Sequence, residues 1–208
     1  MIRKSTKTPT PKKKPTRRKP LSRKPKKPTI LDMQSTRHKE LITKGIMISI
    51  DPSSGSEGSQ PGYALFEQGV LKSIGVINIG TRRTSGLSNR LFLLRAFLEE
   101  EFDIPDIIII ERCPFAYANL AAARLQQTIG CLKSIWDIPS IEVSPSSWKR
   151  WIPVLPQALG IHYEKRDDHD AAAIGLCALG AAYKKGPEMF DDQEKLSPKF
   201  LTTKGDER

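Results

Sequence analysis

The stretch that decides the fold is residues 44–69, KGIMISIDPSSGSEGSQPGYALFEQG. Residues 46–50 form an apolar run that delivers one bare carboxylate, Asp51. A polar loop rich in Gly and Ser follows, containing Glu57, and then a second apolar run. A short apolar run bounded by turn residues reads as a buried strand, so 46–51 is predicted as a core strand that ends on an acid. A rigid strand holds a functional side chain more accurately than a loop does. The Gly-rich loop after it lets another backbone approach closely.

Working outward, GYALFEQG and VLKSIGVINIG read as two strands joined at Gln68-Gly69, a hairpin signal. Leu87, Leu91, Leu94, Phe97 and Leu98 then fall on one stripe of an amphipathic helix, with Ser85 or Ser88 as its cap. DIIIIE, 106–111, has the β-branched run of a strand buried on both faces, as in the centre of a parallel sheet, and it too ends on an acid, Glu111. A helix is predicted over 117–136 and a short strand over 140–144. PSSWKRWI opens a turn of helix with Pro145 near its first position. DDHDAAAIGLCALGAAYKK, 167–185, reads as a closing helix whose small residues let it lie close to the sheet. The order β-β-β-α-β-α-β-α-α predicts an α/β domain, a mixed five-stranded sheet flanked by helices, over 45–185. Residues 30–44 read as a linker and 186–208 as a charged C-terminal tail.

Charge divides the chain sharply. Residues 1–29 hold 13 of the 34 Lys and Arg, six prolines and no acid; the remaining 21 basic residues face 23 acids, so the body is near neutral. Such a tail cannot bury enough apolar surface to offset its ordering, and is expected to be disordered. Like-charge blocks of this kind act as interaction tails, so Lys12, Lys13, Lys14, Arg17 and Arg18 are expected to neutralise phosphates of a nucleic acid. The plainer readings are a solubilising segment or a nuclear address. Cys113, Cys131 and Cys177 are widely spaced and cannot all pair within the chain, which points to reduced thiols in an intracellular compartment. No apolar run reaches 18 residues, so no membrane span is predicted.

Two strands expected to be neighbours each end in an acid, Asp51 and Glu111, and Asp167, Asp168 and Asp170 open the last helix. Asp167 and Asp170 are three apart and share one face. Ligands bind at strand ends in such sheets. Carboxylates gathered there need a cation, and an all-oxygen site suits Mg²⁺ or Mn²⁺. A pair of such ions is the usual apparatus of phosphodiester displacement. Taken singly, each acid has a bland explanation as a helix cap or turn residue; it is the set that argues for metal. His169 lies between the two aspartates, and either assists them or is a solvated helix residue.

At this point residues 46–183 resemble the RuvC family of Holliday-junction resolvases, on the ribonuclease-H-like fold. The motifs come in the family's order: SIDPSS…GYAL around Asp51, LSNRLFLLRAFLEEEFDIPDIIIIE leading to Glu111, VSPSSWKRWI carrying Lys149, and DDHDAAAIGL around Asp167 and Asp170. The resemblance implies a Mg²⁺-dependent crossover-junction endonuclease that nicks four-way DNA symmetrically. Asp51, Glu111, Asp167 and Asp170 are then metal ligands and Lys149 a catalytic residue. It implies a homodimer, with the helix at 117–136 in the interface, acting in recombination or repair, and a bacterial or phage-infected cytoplasm as its setting. Phe115 or Tyr117 would wedge bases at the junction centre, and Arg90, taken as a helix-surface residue, matches a family arginine and is expected among the DNA contacts. The longer loop after Asp51 and the basic N-terminal extension depart from the family's pattern. Two alternatives compete: a broader branched-DNA or flap nuclease or another nuclease of this fold, and a nucleic-acid-binding protein without catalysis.

Overall fold

In the computed structural model, residues 36–53, 60–80, 85–113 and 120–187 are described. The basic tail, the loop containing Glu57, and Phe115 and Tyr117 lie outside them. Five strands, β1 (Ile46–Asp51), β2 (Gly62–Glu67), β3 (Val70–Val76), β4 (Ile107–Glu111) and β5 (Ser140–Val143), form one sheet in the order β3-β2-β1-β4-β5. The β1/β2 and β2/β3 pairs are antiparallel, while β1/β4 and β4/β5 are parallel. This is the expected mixed sheet. Gln68 and Gly69 both have positive φ, 52° and 78°, as a two-residue hairpin turn requires.

The four isoleucines of β4 divide between two cores, as a central strand must. Ile107 and Ile109 join Met47 beneath α6 (Asp167–Ala182), while Ile108 and Ile110 join Ile48 and Ile50 beneath α2 (Leu87–Glu101) and α3 (Leu120–Ile135). Asp106, predicted as the first strand residue, lies just before β4. Its carboxylate accepts from the Ile46 N–H at 2.7 Å and its own N–H donates to the Ile46 carbonyl, which ties the beginnings of β1 and β4 together.

The structure corrects several expectations. Residues 36–44 are not linker but helix α1 (Thr36–Lys44), whose Ile42 is fully buried in the α6-side core. Its nine residues are mostly polar and gave no apolar stripe. The cap of α2 is Gly86, with no side-chain cap bond; Ser85 instead accepts from the Asn89 amide. Arg90 is buried, 2 % exposed, rather than on the helix surface. It stands three residues after Leu87 and four before Leu94, so it falls on the apolar stripe itself. Beyond Pro145 the chain makes more than one turn: α4 (Pro145–Trp148), a 3-10 turn over Lys149–Val154, and α5 (Leu155–Leu159). Helix α6 ends at Ala182 rather than 185. There the Lys184 N–H donates to Ala181 and the Lys185 N–H to Gly180, with Lys184 left-handed at φ 57°, a Schellman closure built without glycine.

All three cysteines are thiols rather than disulfides, and burial pushes the Cys177 thiol up to about 12. Among the described residues no helix is long and apolar enough to cross a membrane.

Candidate carboxylate centre

Asp51 and Glu111 end parallel neighbouring strands in which Ile50 is paired with Ile110. The next residue on each strand is therefore the acid, and the two carboxyl groups meet at one sheet edge. On the other side of β1, Asp51 is paired with Gly62 of β2. A Cβ at Gly62 would lie 2.0 Å from the Asp167 carbonyl oxygen and 2.4 Å from the Asp168 nitrogen. Only glycine lets the first turn of α6 settle there, and that turn carries Asp167 and Asp170 to the strand ends. Further along, the buried Ser49 hydroxyl of β1 lies 2.8 Å from the Ala171 carbonyl, which holds the helix against the strand beside the site.

The electrostatics record the convergence. Burial holds the Asp51 carboxyl well above the usual carboxylate range. The charge of Glu111, a hydrogen bond to it, and the charges of Asp170 and Asp167 act in the same direction. Asp170 is also raised, first by burial and then by Glu111 and Asp167, against the opposing Tyr163 hydrogen bond and Lys149 charge. Asp167 is raised by burial and by Asp168, against a bond from the Gln60 backbone. Like charges crowded in a desolvated place disfavour ionisation.

Asp51, Glu111, Asp167 and Asp170 lie near enough for their charges to act on one another, and Lys149 near enough to act on Asp170. Lys149 lies over the Trp148 ring, Nζ 5.4 Å from its centroid. Asp168 is turned to a different task. It is 1 % exposed, and Arg166 grips it with both nitrogens, Nε at 3.1 Å and Nη2 at 2.8 Å. His169 is not a solvated helix residue. It is buried, and its Nδ1 accepts from the Glu164 N–H at 2.9 Å, which fastens the approach to α6.

Three contacts were not foreseen. The Trp148 indole N–H donates to Glu111 Oε1 at 3.1 Å, the Tyr163 hydroxyl donates to Asp170 Oδ1 at 2.9 Å, and the Gln60 N–H donates to Asp167 Oδ2 at 3.0 Å. Trp148 adjoins Lys149 and Tyr163 lies four residues before Asp167, so both sit beside motif residues. Their partners are set by tertiary folding, however, and no spacing rule points to them.

Among the described residues, no three His, Cys, Asp or Glu side chains are drawn together closely enough to hold a metal ion as they stand. The chemistry of the set nonetheless fits a hard divalent cation. The donors are all carboxylate oxygens, and the burial and mutual repulsion that raise three of them would be relieved by positive charge.

No family model matches the sequence, and no curated protein matches it. Among solved structures, the chain is similar to Thermus thermophilus RuvC in complex with Holliday junction substrate, with a TM-score of 0.52 and 18% identity over 67% of this chain and 94% of that one. It is also similar to a second Thermus thermophilus RuvC structure, with a TM-score of 0.48 and 16% identity over 67% and 95% of the two chains. For the fowlpox virus Holliday junction resolvase the TM-score is 0.42, with 17% identity over 65% and 99%. The class defined here is therefore an α/β sheet protein with acids at the ends of two adjacent parallel strands. Its particular form is the RuvC-like, ribonuclease-H-like fold.

Proposed function

We propose that this protein is a divalent-metal-dependent, structure-specific endonuclease that resolves four-way DNA junctions by paired symmetric nicks, acting as a homodimer. The observation that carries the reading is that Glu111 on the neighbouring strand and Asp167 and Asp170 on α6 all act by their charge on Asp51 at the end of β1. A protein that only bound nucleic acid would gain nothing from half-buried acids that repel phosphate. The junction as substrate is supported by the RuvC-like fold, since the Thermus thermophilus RuvC of the same fold was solved with a Holliday junction substrate.

Asp51, Glu111, Asp167 and Asp170 would hold Mg²⁺ or Mn²⁺, up to two ions. When bound, these ions supply Lewis acidity to the scissile phosphate and an activated water. The protein's own groups supply the rest. Strands β1 and β4 fix Asp51 and Glu111 with the rigidity of a paired core. Lys149, exposed beside Asp170, offers a cation to a phosphate oxygen. For the dimer, α2 and α3 present exposed Phe92, Leu93 and Leu120 to a partner subunit. Arg90, being buried, would act through the shape of α2 rather than by touching DNA. The basic segment with Lys12, Lys13, Lys14, Arg17 and Arg18 adds phosphate contacts that carry no sequence information, and Phe115 or Tyr117 would stack on bases at the junction centre.

The test is cleavage of a synthetic four-way junction beside a linear duplex and an RNA–DNA hybrid, with Mg²⁺ or Mn²⁺, for the native protein and Asp51→Asn. Paired symmetric nicks on the junction alone, abolished in the variant, are expected. Cleavage of the hybrid, or of any branched DNA, would move the function to another nuclease of this fold. Tight junction binding without cleavage by the native protein would make it a binding protein.

A further inference from the structure

We infer that Tyr163 and Trp148 are positioning residues that set which cation the centre prefers, favouring Mg²⁺ or Mn²⁺ over Ca²⁺. The inference rests on the metal-binding reading above and deepens it. The chain between β5 and α6 carries both residues, Trp148 on α4 and Tyr163 after α5. From that one segment the indole N–H holds Glu111 Oε1, on the sheet, and the phenol holds Asp170 Oδ1, on the helix. The Gln60 N–H holds Asp167 Oδ2 in the same manner. Three of the four acids thus have one oxygen committed to a protein donor. The segment also braces the two halves of the centre against each other, because its Glu164 N–H reaches His169 on α6.

Ca²⁺ prefers six to eight oxygens and readily takes both oxygens of one carboxylate, whereas Mg²⁺ is smaller, keeps several waters and is bound through few carboxylates. A carboxylate oxygen that accepts one hydrogen keeps a second lone pair, but the donor fixes the group's rotation and lowers that oxygen's basicity, which biases the acid towards ligation through its other oxygen. A centre of acids so biased favours one-oxygen ligation, which suits the smaller ion better than Ca²⁺. Releasing an oxygen should therefore help Ca²⁺ more than Mn²⁺.

Tyr163→Phe removes only the hydroxyl and keeps a ring that packs on the α6-side core. Trp148→Phe is the second variant. Free Mn²⁺ is followed by its electron paramagnetic resonance signal during titration of the full-length protein. Ca²⁺ is then added to displace it, and urea unfolding of each metal-free variant is recorded alongside. The preference of the native protein for Mn²⁺ over Ca²⁺ is expected to shrink by about 10-fold in Tyr163→Phe, the low end of what such outer contacts command, with the unfolding midpoint little changed. An unchanged preference in both variants, in a native protein that binds Mn²⁺ through Asp51, overturns this inference and leaves the metal centre standing. A native protein that takes up no Mn²⁺, or takes it up equally as Asp51→Asn, overturns both.

Discussion

At the scale of a residue, Asp51 is held where its charge is least welcome. Burial and the charge of Glu111 lead the causes that raise its carboxyl, with Asp170 and Asp167 adding to them. The folded chain therefore keeps this proton to a higher pH than the unfolded chain does. That difference contributes stability which is complete below about pH 4, the ordinary unfolded value. It is lost as pH rises through the raised folded value. Asp167 and Asp170 are raised as well and act with the same sign. Asp51→Asn replaces the carboxyl with a neutral group of similar shape. In the absence of metal, the variant should melt a few degrees above the native protein at pH 8, about 1 kcal/mol of added stability. The gain should shrink as pH is lowered towards 5, while junction cleavage is abolished throughout. Thermal melts across that range check the sign. A variant no more stable than the native protein at pH 8 would mean that Asp51 is not strained by its neighbours.

At the scale of elements, the centre depends on how closely α6 packs on its neighbours, and glycine permits close packing against the sheet at Gly62 and against the 3-10 turn at Gly180. A Cβ at Gly62 would meet the backbone of Asp167 at 2.0 Å, and one at Gly180, near the other end of α6, would meet the Trp151 ring at 1.9 Å. Gly62→Ala and Gly180→Ala should each destabilise the protein by about 1–3 kcal/mol, the usual cost of overpacking, as read by urea unfolding. Only Gly62→Ala moves the acids, so it alone should weaken Mn²⁺ uptake at a pH and temperature where both variants remain folded. Equal losses of affinity would show that general destabilisation, not helix placement, governs the centre. Much of this layout was legible in the sequence, because apolar runs such as IMISI and IIII and the Ala-rich stretch after Asp170 carry their burial in their composition. The acids were legible because they sit at the ends of those runs. Gly62 as the register partner of Asp51, and the donors Trp148 and Tyr163, were not, because each acts across a fold that brings distant segments together. Helix α1 and the Lys184 closure of α6 escaped for a local reason: the first buries little of its surface, and the second lacks the glycine that normally signals such an end.

At the scale of the whole molecule, the excess positive charge and the candidate centre lie in different stretches of the sequence. Helix α1 leads into Ile46, the first residue of β1, and Asp51 is the last. The N-terminal segment joins the described domain at Thr36, where helix α1 begins. Residues 1–29 carry 13 basic residues and no acid. Their contribution to binding should be one of reach and attraction rather than of recognition at the cut. The body offers little long-range attraction of its own, since its 21 basic residues are outnumbered by acids. Each phosphate neutralised adds about 0.9 to the slope of log affinity against log salt on duplex DNA. Deleting residues 1–29 should therefore flatten that slope by several units and weaken binding to duplex and junction alike. The ratio between the two affinities, and the position of the nicks, should remain as they were, because phosphate contacts do not read structure or sequence. Binding titrations of junction and duplex at four or five salt concentrations, with full-length and shortened chains, separate the possibilities. A collapsed junction preference in the shortened chain would place recognition in the basic segment itself. An unchanged slope would mean that its cations do not touch DNA at all.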